Sequence, residues 1–154
     1  MLKKLLKQRN KKGFTLIELI VVLVIMAILA AAAIPTMMGY VNNAKKSTYL
    51  ANCRAIYVAG QAAITEARAN NVTVSAVDAV INPGATTEIT WAARVETMTE
   101  MTGLAAKLSV TTTPDKEKYG ITFDAKGNIT AINYCYNDGQ YVTLTPGSGT
   151  NVMD

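Results

Sequence analysis

The sequence contains no histidine, and only two cysteines occur among its 154 residues. The lack of histidine excludes imidazole acid–base catalysis and metal sites built on histidine ligands. Two cysteines are too few for a four-cysteine zinc site or a dense disulfide framework. A glycine-rich phosphate loop and a nucleophile elbow are also missing. We therefore expect a non-enzymatic protein that uses no cofactor and no metal.

Acidic residues are missing from the start of the chain, where none precedes Glu18. Six of the fifteen basic residues lie in the first twelve positions, so nine remain against eleven acidic residues further on. The six are Lys3, Lys4, Lys7, Arg9, Lys11 and Lys12. The net charge of +4 is therefore a property of the N-terminal tip, and it predicts no specific nucleic-acid partner.

A long apolar run follows the basic tip. The 21 residues from Phe14 to Ile34 carry one charge, Glu18, and Pro35 ends the run. An apolar helix of about 20 residues spans a bilayer core, and a basic flank stays on the cytoplasmic side. The rest of the chain would then lie outside. A plain membrane anchor and a cleaved secretory signal peptide, with small residues from Ala30 to Ala33, are both consistent with this pattern.

Glu18 is the residue that fits neither of those two readings. A charge deep in a membrane segment costs about 2.5–3.5 kcal/mol on insertion scales, so it indicates a function. The order Lys11-Lys12-Gly13-Phe14-Thr15-Leu16-Ile17-Glu18, followed by apolar residues to Pro35, resembles the class III leader and N-terminal helix of type IV pilins and pseudopilins. The resemblance covers roughly the first 50 residues.

The resemblance implies processing and assembly steps at named residues. A prepilin peptidase would cut between Gly13 and Phe14 and methylate the new amine of Phe14. Glu18 would guide assembly, since positions 14 and 18 share a helix face and its carboxylate could neutralise the Phe14 ammonium of a neighbouring subunit. Many family members have glycine midway along the apolar helix, but this chain has Ala27, so Pro35 is the expected helix kink.

The expected fold is α+β, with a long helix packed on a C-terminal antiparallel sheet of about three or more strands. The predicted segments are a cleaved leader (1–13), a transmembrane or filament-core helix (14–35), an amphipathic continuation (36–71) and a globular head (72–154). A helical stripe is predicted to cover the sheet. Its residues are Met37, Val41, Ala44, Thr48, Ala51, Ala55, Val58 and Ala62.

Local patterns predict the elements of the head. A short helix is expected over 75–81, and a second helix should carry Trp91, Val95, Met98 and Met101, with Thr86-Thr87 as its cap and Gly103 closing it. Glu88, Glu96 and Glu100 could form a calcium or acid–base cluster, but a solvated helix face is the preferred interpretation. Three β-rich runs within 118–145, separated by turn residues, predict an antiparallel meander followed by a loose polar tail from Pro146.

The two cysteines and two short sequence patterns leave alternatives open. Cys53 falls in the helix and Cys135 in the middle strand. They are either a disulfide, which would contribute about 4–5 kcal/mol in the chain-entropy model, or two buried free thiols. Asn71-Val-Thr73 and Asn128-Ile-Thr130 match the glycosylation sequon, although a pattern this short is weakly specific.

The function implied by the resemblance is that of a structural subunit. Its partners would be membrane lipid, prepilin peptidase, the pilus assembly machinery in the cytoplasmic membrane and copies of itself. The head would lie outside a single-pass anchor and later on an extracellular filament used for adhesion, motility, biofilm formation or DNA uptake. The alternatives are a pseudopilin of a type II secretion or competence system, whose acidic calcium-binding loop we do not find, and a secreted binding protein.

Overall fold

A computed structural model describes residues 13–148 together with the backbone of Val152–Met153. The leader predicted over 1–13 therefore lies outside the described residues except for Gly13. The chain divides into two compact units, the first ending at Asn42 and the second beginning at Asn43. The second unit, which we call the head, contains the hydrophobic core.

Helix α1 spans Leu16–Ala69 and runs through Pro35 without a break in its assignment. From Gly13 to Lys45 every residue is exposed. Within α1, an 18-residue window with a mean hydropathy of 3.0 and no buried residue makes this helix long and apolar enough to cross a membrane. A kink at Pro35 remains a prediction.

In the head, α1 packs on a sheet through a face that differs from the predicted one. The buried helix residues are Leu50, Cys53, Ile56, Ala59, Gly60, Ala63, Ile64 and Ala67. The predicted stripe was wrong, because Ala44, Thr48, Ala51, Val58 and Ala62 are exposed. Both stripes have helical spacing, but the buried one holds the bulkier Leu50, Ile56 and Ile64. Removing these larger side chains from water contributes more than burying alanines.

The sheet confirms the α+β fold. Its strands are β1 (Leu108–Val110), β2 (Tyr119–Phe123), β3 (Ile129–Asn137), β4 (Gln140–Leu144) and β5 (Val152–Met153), adjacent in that order. Strands β2, β3 and β4 form the predicted antiparallel meander. The sheet as a whole is mixed, since β1 pairs parallel to β2. Strand β5 pairs antiparallel with β4, in a region predicted to be a loose tail.

The segment between α1 and β1 corrects two predictions. Residues 75–81 form no helix. Instead, Val80 bridges Thr90, and the amides of Trp91 and Ala92 donate to the carbonyls of Ala79 and Val77. Backbone groups that a helix would have used are thus paired with a neighbouring segment.

Helix α2 spans Trp91–Thr99 and begins one turn later than its predicted cap. Thr90 is the N-cap, and its hydroxyl accepts from the amide of Ala93 at 3.3 Å. Glu100 adopts the left-handed conformation at the C-cap. A 3₁₀ turn over Ala105–Lys107 then leads into β1.

The core joins the helices to one face of the sheet. Ile121, Ile132 and Val142 from three adjacent strands are fully buried together with Trp91 of α2. Trp91 meets Phe123 edge-on, with ring centroids 5.4 Å apart. The opposite face of the sheet is approached by the segment between β1 and β2, because Thr111 and Pro114 lie directly against Gly120.

Candidate functional site

The first turn of α1 holds the sequence-predicted site, and the structure shows how it is built. Phe14 precedes the helix and is 86% exposed. Thr15 caps α1, since its hydroxyl accepts from the amide of Glu18 at 3.3 Å. In return, Glu18 Oε2 accepts from the Thr15 amide at 2.8 Å and from the Thr15 hydroxyl at 2.7 Å. This reciprocal arrangement is a capping box.

The capping box gives Glu18 a structural role within its own chain. The first backbone amides of a helix have no partner within the helix, and such unpaired donors are costly in an apolar surrounding. The Thr15–Glu18 contacts provide acceptors for some of these amides. Only Oε2 takes part. Among residues 13–148, no hydrogen bond reaches Glu18 Oε1, so this oxygen is available to a group from outside the subunit.

Thr15 is the residue of this first turn that the sequence analysis did not single out. The signal was present, because Thr15-Leu16-Ile17-Glu18 has the threonine and glutamate spacing of a capping box before an apolar run. The sequence analysis assigns Glu18 one role, which is to neutralise the Phe14 ammonium of another subunit. The structure adds a contact within the subunit to that hypothesis.

Gly13 lies at the predicted cleavage junction and has no packing reason to be glycine. A Cβ added to Gly13 would meet no atom within 4 Å. Among the described residues nothing prevents a larger side chain there, so a requirement for glycine would come from an enzyme that acts on the junction.

The comparison with known families matches this same segment. Residues 8–34 match the model of a family described as the prokaryotic N-terminal methylation motif. The chain carries the type IV pilin and pseudopilin signal. The matched residues include Gly13, Phe14 and Glu18, and they end beside Pro35. No curated protein and no solved structure matched the chain.

This pilin-type signal confirms the resemblance and supports a coarse function. It marks a precursor of the kind that prepilin peptidase processes and that pilus machinery assembles. Proteins with this signal are structural rather than catalytic. The apolar stretch of α1, most of which lies within the matched residues, is compatible with membrane insertion.

The two cysteines are not brought together. Both are free and buried, and Cys53 is among the core residues that α1 turns toward the sheet. On β3, Tyr134 and Tyr136 both contact Tyr49 of α1, with ring centroids 4.6 and 6.0 Å away. Successive strand residues point to opposite faces, so Cys135 faces away from α1. Of the two alternatives, the structure therefore has the pair of free thiols.

Each thiol has its own environment. Burial raises the pKa of Cys53 to about 12, because the thiolate would lose its hydration. Cys135 donates from Sγ to the carbonyl of Asn137 at 3.1 Å. Asn133 lies on the same face of β3 as Cys135, and it donates from Nδ2 to the carbonyl of Thr112 at 2.7 Å.

Two acidic residues near α2 accept hydrogen bonds from backbone amides of the head. Glu96 accepts from the amides of Gly103 and Ala105, both at 2.8 Å, and these bonds lower its pKa, that of Ala105 most. Glu88 accepts from the amide of Gly84 at 3.0 Å. Within the described residues, no three His, Cys, Asp or Glu side chains group as metal ligands.

Proposed function

We propose that the chain is a structural subunit of a type IV pilus. The observation that carries this proposal is the pilin-type signal at residues 8–34, together with an apolar stretch of α1 in which no residue is buried. Such a surface needs a cover of lipid or protein, because large contiguous apolar patches are unstable in water. Lipid would cover it in the membrane, and copies of the same helix would cover it in a filament.

Before assembly, the proposed protein is a single-pass membrane protein with its head outside. The basic residues up to Lys12 would hold the tip in the cytoplasm, where prepilin peptidase would cut after Gly13. Residues 14–35 would cross the bilayer, and residues 36–71 would continue the helix into the head. The mature protein would then begin with a methylated Phe14 and wait in the cytoplasmic membrane.

During assembly, Glu18 would pair with a neighbour. Cleavage creates an ammonium group at Phe14, and a buried ammonium is costly unless an anion neutralises it. Glu18 Oε1 remains free for that ammonium while Oε2 holds Thr15. One carboxylate could thus cap its own helix and set the axial register against a neighbouring subunit.

The outward face of α1 in the head offers a second contact between subunits. An apolar groove of about 590 Å³ lies there, lined by Val58, Ala55 and Ala62 of α1 and by Met98 of α2. Val58 is 67% exposed and Met98 is 40% exposed. Small side chains allow a neighbouring helix to approach closely, so a filament would bury this face.

Processing and microscopy test the proposal together. Intact mass should show wild-type protein beginning at Phe14 with one added methyl group. Gly13→Val should keep its leader, whereas Gly39→Val should be processed normally. Gly39 is a matched control because a Cβ there also meets no atom within 4 Å.

Electron microscopy then decides the role. Cells that lack the protein should lose their long surface filaments, and the wild-type gene should restore them. Normal processing of Gly13→Val, or a mature start near Ala33, would contradict the pilin-type pathway. Correct processing without any dependent long filament would point to a pseudopilin of a secretion or competence system.

A further inference from the structure

The head contains two glycosylation sequons that the proposed function does not explain. They are Asn71-Val-Thr73, just after α1, and Asn128-Ile-Thr130, at the start of β3. The motif marks an asparagine whose amide nitrogen accepts a sugar in proteins exposed outside the cytoplasm. The two copies share one fold and one compartment, so their surroundings can be compared directly.

The second sequon is engaged at both of its functional positions. Asn128 Nδ2 donates to Asp124 Oδ2 at 2.8 Å, and Asn128 Oδ1 accepts from Arg68 Nη2 at 2.6 Å. The Thr130 hydroxyl lies 2.8 Å from the Thr122 hydroxyl and donates to the Thr122 carbonyl at 3.1 Å. Thr130 also belongs to β3, which is paired with β2. Glycosylation here would break these contacts.

The first sequon has none of these restraints. Asn71 and Thr73 are both exposed, and residues 72–75 belong to no helix or strand. Within residues 13–148, no hydrogen bond reaches the side chain of either residue, in contrast with Asn128 and Thr130. Asn71 has a φ of 59°, which turns the chain away from the end of α1. An enzyme could therefore reach the amide nitrogen and the hydroxyl without unfolding the head.

We propose that Asn71 is the N-glycosylation site of this protein and that Asn128 is not used. The donor is a lipid-pyrophosphate-linked oligosaccharide. The Asn71 amide nitrogen bonds to the anomeric carbon of the sugar, the bond from that carbon to the pyrophosphate oxygen breaks, and the lipid pyrophosphate leaves. The nitrogen gives up one proton to the leaving group or to solvent, and no oxidation or reduction occurs. The step rests on the proposed topology, which places the head outside the cytoplasm.

Peptide mapping of the protein purified from its own cells tests the site. Trypsin cleaves after Arg68, Arg94 and Lys126, so Asn71 falls in the peptide 69–94 and Asn128 in the peptide 127–154. Tandem mass spectrometry should find sugar on the first peptide and none on the second. Asn71→Gln and Thr73→Val should each abolish the modification. Thr73→Ser, Asn128→Gln and Thr130→Val should retain it.

The variants separate the proposal from folding and from the pilus. Thr73→Val keeps Asn71 and its backbone conformation, so loss of sugar in that variant reports on recognition rather than on misfolding. An unmodified 69–94 peptide in the wild type, sugar on Asn128, or sugar that persists in Thr73→Val would overturn the proposal. The same preparation is scored for the methylated Phe14 start and for filaments. Correctly processed, filament-forming protein without sugar refutes the glycosylation alone.

Discussion

The indole nitrogen of Trp91 donates a hydrogen bond to the backbone carbonyl of Gly60 at 3.1 Å, across the contact between α2 and α1. Gly60 is glycine because nothing larger fits. A Cβ there would lie 2.6 Å from Ile129 Cδ1 and 2.7 Å from Trp91 Cζ2. The single tryptophan of the chain is fully buried on this contact, so its fluorescence reports on the folding of the head.

Gly60→Ala should destabilise the head. The added methyl group must displace Ile129 or Trp91, and overpacking of this kind costs about 1–3 kcal/mol. Denaturant unfolding of the detergent-solubilised protein, followed by Trp91 fluorescence, should show a lower midpoint. Gly39→Ala is the control, since its Cβ meets no atom within 4 Å. An unchanged midpoint for Gly60→Ala would mean that the contact between α1 and α2 accommodates a methyl group without cost.

The cysteines should titrate as two free thiols. Protein purified and unfolded without reductant should react with two equivalents of a thiol reagent, and the folded protein should react slowly because both thiols are buried. Detection of fewer than two thiols in the unfolded, unreduced protein would show a bridge instead. Cys135→Ser should leave the midpoint of unfolding close to that of the wild type, because the substitution breaks no bridge.

Stability should also fall at alkaline pH through Cys53. Its pKa is raised from 9.0 to about 12 in the folded protein, so the unfolded thiol ionises first. The contribution of Cys53 to the free energy of unfolding is therefore complete below pH 9, and it is lost as the pH rises toward 12. Cys53→Ala should make the alkaline decline of the unfolding midpoint shallower. A decline equally steep in this variant would assign the effect to other groups, such as Tyr134, whose pKa burial also raises to about 12.

Low pH should destabilise the head through protonation of Glu96. Its amide bonds lower its pKa below the usual 4.5, so Glu96 stabilises the fold above pH 4.5 and loses that contribution as the pH falls through the lowered value. Glu96→Gln should be less stable at neutral pH and less sensitive to acid, because one amide oxygen replaces two carboxylate acceptors. Asp115→Asn is the comparison variant, because Asp115 pairs with the Lys118 side chain at 2.8 Å instead of accepting from backbone amides. Equal acid sensitivity of wild type and Glu96→Gln would contradict the prediction.

Variants of Thr15 and Glu18 separate two roles of the glutamate, which are capping its own helix and pairing with a neighbouring subunit. If Glu18 pairs with the Phe14 ammonium of a neighbour as proposed, Glu18→Ala leaves that ammonium unpaired, and breaking one side of a buried pair costs about 3–5 kcal/mol. This variant and Glu18→Gln should be cleaved and inserted normally, yet yield few filaments in the sheared fraction. Glu18→Asp should be partly active. Thr15→Val removes only the cap, which is worth about 1 kcal/mol, so its filament yield should fall less.

The comparison of these variants decides which contact matters. A defect in Thr15→Val as large as that in Glu18→Ala would show that the carboxylate acts through the helix cap. Wild-type filament yield from Glu18→Ala would show that the carboxylate is not required for assembly.

The sequence predicted those elements whose local signals were strong. The turn residues Asp124 to Gly127 and Asn137 to Gly139 separated three strands correctly, and both turns contain a glycine with positive φ. The long helix followed from its unbroken apolar and helical pattern. The pilin-type signal at residues 8–34 followed from Gly13, Phe14 and Glu18 in their order before the apolar run, while the roles of these residues stay predictions.

The sequence could not show features that depend on distant partners. Strand β1 has three residues and pairs parallel with β2, so neither its length nor its alternation distinguishes it from a loop. The choice between two helical stripes on α1 depended on which side chains fill the space above Ile121 and Ile132. The side of β3 that carries Cys135 likewise became clear only from the tyrosine contacts with α1.

The core of the head unites segments that are far apart along the chain. Its α1 residues lie between Leu50 and Ala67, its α2 residues between Trp91 and Val95, and its strand residues extend from Leu108 to Leu144. Contacts of such long sequence separation close late in folding, because the loop entropy must be overcome first. If the chain is exported with its N-terminus anchored, the buried face of α1 must stay uncovered until the last strands emerge. The head would then fold only after translocation is nearly complete, which keeps the chain extended enough to cross the membrane.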